Sequence, residues 1–202
     1  RFLHNITYEI RIPLNTVVGF SELLSSENDL TEEEIEEYSV AVKSNSAKLL
    51  RLINNILDLS RLEAGMMRFN VQECDVVQLC REAGMIVDME TPGIVKSTFN
   101  TELEMLQVEV DSKWFLKLLT SLITVPYDYK GEKREVEYTL SQENKNLKIM
   151  IQHSPLYQCW EDEQEQHILH NINRLYVETF KGCYQIEKQG EEKIVSITYP
   201  IS

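Results

Sequence analysis

The sequence is short of positive charge. It has 20 Lys and Arg residues against 33 Asp and Glu residues, which gives a formal net charge of -13 at pH 7. A nucleic-acid-binding surface, or one that binds an anionic membrane, needs clustered Lys and Arg side chains. We therefore expect no nucleic-acid partner and no direct membrane contact by this chain, and we favour a protein partner.

The sequence also lacks paired cysteines and long apolar runs. Its four cysteines have neither a CxxC pair nor metal-ligand spacing: Cys74, Cys80, Cys159 and Cys183. This distribution indicates reduced thiols in a cytoplasmic compartment rather than a disulfide framework or a zinc site. No apolar run reaches the roughly 18 residues of a membrane span, and the chain opens in a helical pattern without a signal peptide. We expect a cytoplasmic fragment, which is compatible with a membrane-anchored parent protein.

What is present begins with the pattern of two long helices. Apolar residues recur at intervals of three and four over residues 2–24, the period of one helix face, and Pro13 should kink this helix. Thr31 with Glu34 has the pattern of a capping box that begins a second helix, and Gly65 ends it. A two-helix hairpin cannot cover its own apolar stripe. We therefore predict that two copies pair into a four-helix bundle, which makes the chain a homodimer.

Short strand patterns and shorter helices follow and predict a second domain, residues 66–202. The strands are predicted over residues 67–73, 95–100, 106–110, 134–140, 147–152, 183–188 and 193–199. The helices are predicted over residues 75–87, 114–123 and 166–180, the first of them capped by Asp75. The predicted fold class is α+β, with the helical hairpin of residues 1–65 in front.

The first helix carries the most informative motif. Residues 2–15, FLHNITYEIRIPLN, resemble the phosphoacceptor box of sensor histidine kinases, whose pattern is H-E-I-R-T-P-L-N. Glu9, Arg11 and Pro13 match that pattern, whereas Tyr8 stands at the histidine position and Ile12 at the threonine position. In the family, the histidine takes the γ-phosphoryl group of ATP and passes it to an aspartate of a response regulator. The threonine helps to position water for dephosphorylation of the regulator, so the resemblance implies that both reactions lose a central group here.

Tyr8 is a poor chemical replacement for a histidine. A neutral imidazole offers a lone pair near pH 7, whereas a phenol with a pKa of about 10 is almost wholly protonated and needs a base to attack. His4 lies one helical turn earlier on the same face, roughly 6 Å away, and is an alternative acceptor. The acidic companion Glu9 nevertheless follows position 8, which disfavours His4.

The second domain resembles the ATP-binding domain of histidine kinases, an α/β sandwich with helices on one face of a mixed sheet. In that family a helix that opens with an aspartate carries two asparagines for Mg²⁺ and phosphate. On the matching helix, which opens at Asp111, these positions are Ser121 and Val125. The family's adenine-binding aspartate and the glycine after it correspond to His153 and Pro155. Valine offers Mg²⁺ no oxygen ligand, and proline adds a ring and removes a donor.

The segment before the last helix departs from the family as well. The family rests its phosphates on glycine N–H groups there, but residues 160–170, WEDEQEQHILH, contain no glycine and four carboxylates. A solvated helix start is an equally good reading of this acidic run. His167 and His170 lie at helical spacing, yet no third metal ligand is evident, so we favour surface histidines and no metal site. We expect no cofactor, although the family uses ATP and Mg²⁺.

Two classes of function follow. The first is the core of a two-component sensor histidine kinase without catalytic activity, a dimeric signalling scaffold that pairs with a response regulator receiver domain or another histidine kinase. Its hairpin would be the dimerisation and phosphotransfer-like domain, and residues 66–202 a degenerate ATP-binding domain. The second is an active ATP-dependent histidine autokinase with a non-standard acceptor such as His4. A third reading, a different small ligand near Tyr157, Trp160 and His153, rests on a few aromatic residues alone.

Overall fold

The computed structural model describes residues 2–26, 29–125, 129, 131–158, 163–190 and 192–201. Within these ranges the side chains of residues 2–6, 8, 158, 163–167 and 189 are outside the description. The chain forms two compact units, Arg1–Asp58 and Leu59–Ser202. None of the helices in the described ranges combines the length and apolar character that a bilayer crossing requires.

The first unit is built from two long helices, as the apolar periodicity predicts. α1 spans Phe2–Ser26 with Pro13 inside it, and α2 spans Glu32–Glu63. The predicted capping box is confirmed, because the Thr31 N–H donates to Glu34 Oε2 at 2.8 Å and the Glu34 N–H donates to Thr31 Oγ1 at 3.2 Å. Gly65 has a φ of 64°, the left-handed conformation that follows many helix C-termini. Phe20 and Tyr38 join the two helices with a ring-centroid distance of 5.2 Å.

The second unit combines four helices with two sheets. The helices are α3 (Val76–Glu90), α4 (Ser112–Ile123), α5 (Pro155–Gln158) and α6 (Glu163–Thr179). The strands are β1 (Gln72–Asp75), β2 (Val95–Thr101), β3 (Gln107–Val110), β4 (Arg134–Glu143), β5 (Asn146–Gln152), β6 (Cys183–Gln189) and β7 (Glu192–Pro200). The main sheet has the order β2-β4-β5-β7-β6, and β1 pairs with β3 in a separate two-stranded sheet. The β2–β4 pair is parallel and the other pairs of the main sheet are antiparallel, so the predicted mixed sheet and the α+β class are confirmed.

The sequence prediction of the first strand, over residues 67–73, is wrong. β1 begins only at Gln72, because Phe69 packs with its ring 5.7 Å from Trp114, 5.7 Å from Tyr176 and 5.2 Å from Phe180. Because Phe69 packs in this aromatic cluster, residues 67–71 lie against the helices and do not pair as a strand. The segment is also held by its backbone, since the Asn70 N–H donates to Asp111 Oδ2 at 2.7 Å.

Two helix predictions also need correction. The short helix α5 was not predicted, and α6 begins three residues earlier than the predicted start at residue 166. The predicted cap of α3 is confirmed, because Asp75 Oδ1 accepts from the Val77 N–H at 3.1 Å. The domain boundary after residue 65 remains a prediction.

Candidate functional site

The acceptor-like segment lies within α1. The backbone of Tyr8 is helical, but its side chain and that of His4 lie outside the described set. Arg11 is exposed, and Ile12 exposes 52% of its surface at the position of the family's threonine. An aliphatic side chain there has no hydroxyl to hold a water molecule.

The neighbouring positions differ in exposure. Pro13 is buried and Glu9, one turn earlier on the same helical face, is half-buried, whereas Arg11 and Ile12 are exposed. Pro13 has no backbone N–H to donate. One turn along, the Thr16 hydroxyl donates to the Ile12 carbonyl oxygen at 3.1 Å. The structure therefore keeps the family's proline in a continuous helix.

In the second unit, Asp111 fixes the start of α4. Its Oδ1 atom accepts from the Trp114 N–H at 3.1 Å, which caps the helix, while Oδ2 accepts from Asn70. The carboxylate is buried, with an exposure of 6%, and these two charge-assisted bonds offset its loss of hydration. The register of α4, and with it the position of Ser121, is set from this end.

Ser121 lies in the last turn of α4, and its hydroxyl is already engaged. It donates to the Leu118 carbonyl oxygen at 2.7 Å and accepts from Asn173 Nδ2 on α6 at 3.0 Å. Asn173 is buried with an exposure of 3%. Val125, the second magnesium-equivalent position, is also buried and carries no oxygen on its side chain. α4 ends at Ile123, and Pro126 lies outside the described residues.

The adenine-equivalent positions follow β5. His153 adopts a φ of 56°, which is uncommon for a residue with a side chain, and its side chain is 41% exposed. Its Nδ1 atom lies 3.9 Å from Glu192 Oε1. Pro155 is the first residue of α5, a position where its missing N–H is not needed by the helix. Ser154 between them is fully buried, and its hydroxyl donates to the Leu122 carbonyl oxygen of α4 at 2.6 Å.

A chain of polar side chains crosses from α5 to β6 and α6. The Tyr157 hydroxyl lies 2.6 Å from the Tyr184 hydroxyl and 2.9 Å from His170 Nδ1. Burial raises the pKa of Tyr184 to about 12, although hydrogen bonds from Tyr157 and Asn173 work in the opposite direction. Burial, and then the neighbouring Tyr184, raise the pKa of Tyr157 even further. Both phenols therefore stay neutral at physiological pH and serve as hydrogen-bonding groups.

The prediction of a surface histidine at position 170 is wrong, because His170 is half-buried and bonded to Tyr157. The side chain of His167 and residues 159–162, which include Trp160, lie outside the described set. Within the described part of the chain, no three His, Cys, Asp or Glu side chains are placed to hold a metal ion.

Sequence reasoning missed Ser154, Asn173 and Tyr184. A signal existed for Asn173, because it falls on the same helical face as Val177, which is fully buried. A polar side chain on a buried face needs a partner. The partner itself, Ser121, is 52 residues away in the sequence and only the fold brings the two together.

The chain is similar to known proteins in both sequence and fold. Residues 1–65 match the family model of the His Kinase A (phospho-acceptor) domain. A similar curated protein is the non-motile and phage-resistance protein of Caulobacter vibrioides, 36% identical over 106 residues, or 46% of this chain and 13% of the relative. Histidine kinase 1 of Arabidopsis thaliana is 33% identical over 129 residues, 61% of this chain and 10% of that protein. The chain thus spans only about a tenth of the length of these relatives.

Solved structures show the same fold. The Acinetobacter baumannii histidine kinase AdeS superposes with a TM-score of 0.72 at 15% identity, over 96% of this chain and 98% of that one. The histidine kinase ThkA, solved in complex with the response regulator protein TrrA, gives a TM-score of 0.70 at 14% identity, over 99% and 61% of the two chains.

Residues 1–65 therefore match a HisKA domain, and the chain has the fold seen in solved histidine kinases.

The Ser121–Asn173 hydrogen bond should contribute measurably to stability. Asn173→Ala leaves the Ser121 hydroxyl without its partner on α6, so we expect the free energy of unfolding to fall by about 1–2 kcal/mol. Ser121→Ala should cost a similar amount. Because the two side chains share one interaction, the double variant should show a coupling energy of about 1 kcal/mol.

Urea denaturation of the four proteins in this cycle measures the coupling. Thr179→Ala serves as a control, since Thr179 is an exposed α6 residue whose hydroxyl bonds only the Leu175 carbonyl oxygen of its own helix. It should change stability by less than about 0.5 kcal/mol. Strictly additive effects of Ser121→Ala and Asn173→Ala would show that the two helices are not joined by this bond.

Proposed function

We propose that this chain is the cytoplasmic core of a sensor histidine kinase without catalytic activity, and that it works as a dimeric signalling scaffold. The observation that carries the proposal is the state of the magnesium-equivalent positions. Ser121 is committed to Leu118 and Asn173, and Val125 is a buried hydrocarbon. Since Mg²⁺ requires oxygen ligands in near-octahedral geometry, these two positions supply it with no free ligand.

The acceptor segment supports the same proposal. With Tyr8 in place of the histidine, any phosphate would be held as a stable ester, and nucleophilic attack would need a base to remove the phenolic proton. With Ile12 in place of the threonine, the segment also lacks the hydroxyl used in dephosphorylation of a partner. The segment thus lacks the imidazole used for phosphorylation and the hydroxyl used for dephosphorylation.

The hairpin retains what a scaffold needs. Apolar side chains remain exposed at intervals of three and four along α2, at Leu50, Ile53 and Leu57, and along α1, at Leu14 and Val18. Their exposed fractions lie between 40% and 60%. A row of apolar side chains on a helical pair is the pattern of a four-helix bundle, so pairing with a second copy buries this surface.

A response regulator is the partner we favour. The solved relative ThkA was crystallised with the response regulator TrrA. The exposed polar side of α1 around Arg11 is the surface of this chain that we assign to such a partner, and another histidine kinase is the alternative partner.

An active autokinase remains the second candidate function. It is favoured only by the presence of His4 one turn before Tyr8. The same acceptor would still depend on a nucleotide site in which Val125 offers no metal ligand.

A phosphorylation assay separates the two candidates. The parental protein, incubated with ATP, Mg²⁺ and a receiver domain, should form no acid-labile phosphate and transfer none. Tyr8→His should remain inactive by itself, because it restores the acceptor but leaves the nucleotide site as it is. Robust transfer by the parental protein that is lost in Tyr8→Phe or His4→Ala would overturn the proposed function.

Dimerisation should depend on the apolar row of α2. Ile53→Glu places a charge in the middle of this row, and burial of an unpaired carboxylate is unfavourable, so we expect dimer dissociation to increase at least about tenfold. Met89→Glu is the matched control, because Met89 is 81% exposed on α3 in the second unit. Light scattering after size-exclusion chromatography measures both variants. A monomeric parental protein, or equal effects of the two substitutions, would contradict the assignment.

A further inference from the structure

Residues 154–157, which follow β5, are held at both ends by buried side chains. At the α4 end, Ser154 donates to the Leu122 carbonyl oxygen at 2.6 Å and is fully buried. At the other end, Tyr157 is bonded to Tyr184 and to His170. The segment also closes on itself, because the Tyr157 N–H donates to the Ser154 carbonyl oxygen at 3.0 Å. We call residues 154–157 the strap.

The first anchor follows from the chemistry of the end of α4. In a continuing helix, the Leu122 carbonyl would accept from the N–H of residue 126, but that residue is a proline and has no N–H. A buried carbonyl without a donor is costly. The Ser154 hydroxyl supplies the missing donor from outside the helix. The proline after α4 therefore explains why the Leu122 carbonyl oxygen takes its hydrogen bond from the strap.

The second anchor uses the full capacity of a phenol. One hydroxyl can donate once and accept from other donors, and Tyr157 lies within hydrogen-bonding distance of two groups on two different elements. Its side chain is 9% exposed and Tyr184 is 8% exposed, so little water competes for these bonds. Asn173 links this group to α4 through Ser121. The strap thus joins α4, β6 and α6 through the protein's own side chains.

We propose that the strap is an internal lock, in which the protein's own side chains close the predicted nucleotide-pocket-equivalent of this domain and fix α4 to α6. The inference deepens the proposed function and rests on it. A domain locked in this way presents one conformation to its partners, irrespective of the nucleotide concentration.

Hydrogen exchange of the full chain, without nucleotide, tests the lock. Tyr157→Phe keeps the ring and removes both hydroxyl bonds, and Ser154→Ala removes the other anchor. Each should speed amide exchange in the strap about tenfold, because loss of a buried hydrogen bond of ordinary strength has an effect of this size. Tyr138→Phe is the matched control. It removes a buried tyrosine hydroxyl of the same unit, which donates to the Cys80 carbonyl oxygen at 2.8 Å.

In the Tyr138→Phe control, exchange in the strap should stay within about twofold of the parental protein. Faster exchange in the strap in both anchor variants, but not in the control, supports the lock. Equal exchange in all four proteins would overturn it, as would parental strap amides that already exchange at the rate of an unstructured peptide. Nucleotide binding by the parental protein is a separate measurement, and it would overturn the proposed function rather than alter the exchange rates measured without nucleotide.

Discussion

The hydrogen bond between Ser121 and Asn173 is the constraint on which the site in the second domain depends. It joins α4 to α6 at Ser121, the predicted magnesium-equivalent position. Because Asn173 is buried, breaking this bond would remove one of the hydrogen bonds of a polar side chain inside the domain. The free energy lost with that bond favours the structure in which α4 and α6 are joined over one in which they are apart. The strap adds two further hydrogen-bonded anchors between these helices.

Polar groups, rather than apolar ones, therefore decide the character of this site. The sheet and the helices bury a conventional apolar core, with Phe115, Leu119 and Ile149 at zero exposure, and this core specifies the fold. The buried polar side chains of the site bond to one another or to backbone groups. A nucleotide would have to offer better partners than those already in place, and the residues at the magnesium-equivalent positions give it no metal-mediated advantage.

Much of the architecture could be predicted from the sequence, and the reasons are local. The capping box at Thr31, the cap at Asp75 and the hairpin periodicity each depend on residues within one helical turn or two, so a short window reveals them. The bounds of the first strand were predicted wrongly and α5 was missed, because tertiary contacts decide both. Phe69 packs against Trp114 and Tyr176, which are distant in the sequence, so no local pattern predicts this contact.

In the site, too, some features could be predicted from the sequence and others depend on tertiary contacts. Resemblance to the family assigned Ser121, Val125, His153 and Pro155 to the nucleotide pocket, which stays a prediction, whereas the contacts of these residues came only from the fold. The pairing of Ser121 with Asn173, and of Tyr157 with Tyr184 27 residues further along, joins segments that no sequence periodicity relates. In the sequence, the buried network was indicated only by Asn173, a polar residue on the buried face of α6.

Titration calorimetry of the full chain with ATP and Mg²⁺ tests the central claim most directly. We expect no heat of binding and no thermal stabilisation at millimolar nucleotide. The metal-equivalent positions offer no free oxygen, and the strap closes the nucleotide-pocket-equivalent. Magnesium-dependent binding at micromolar concentrations would contradict the account and would restore His4 and Tyr8 as acceptors.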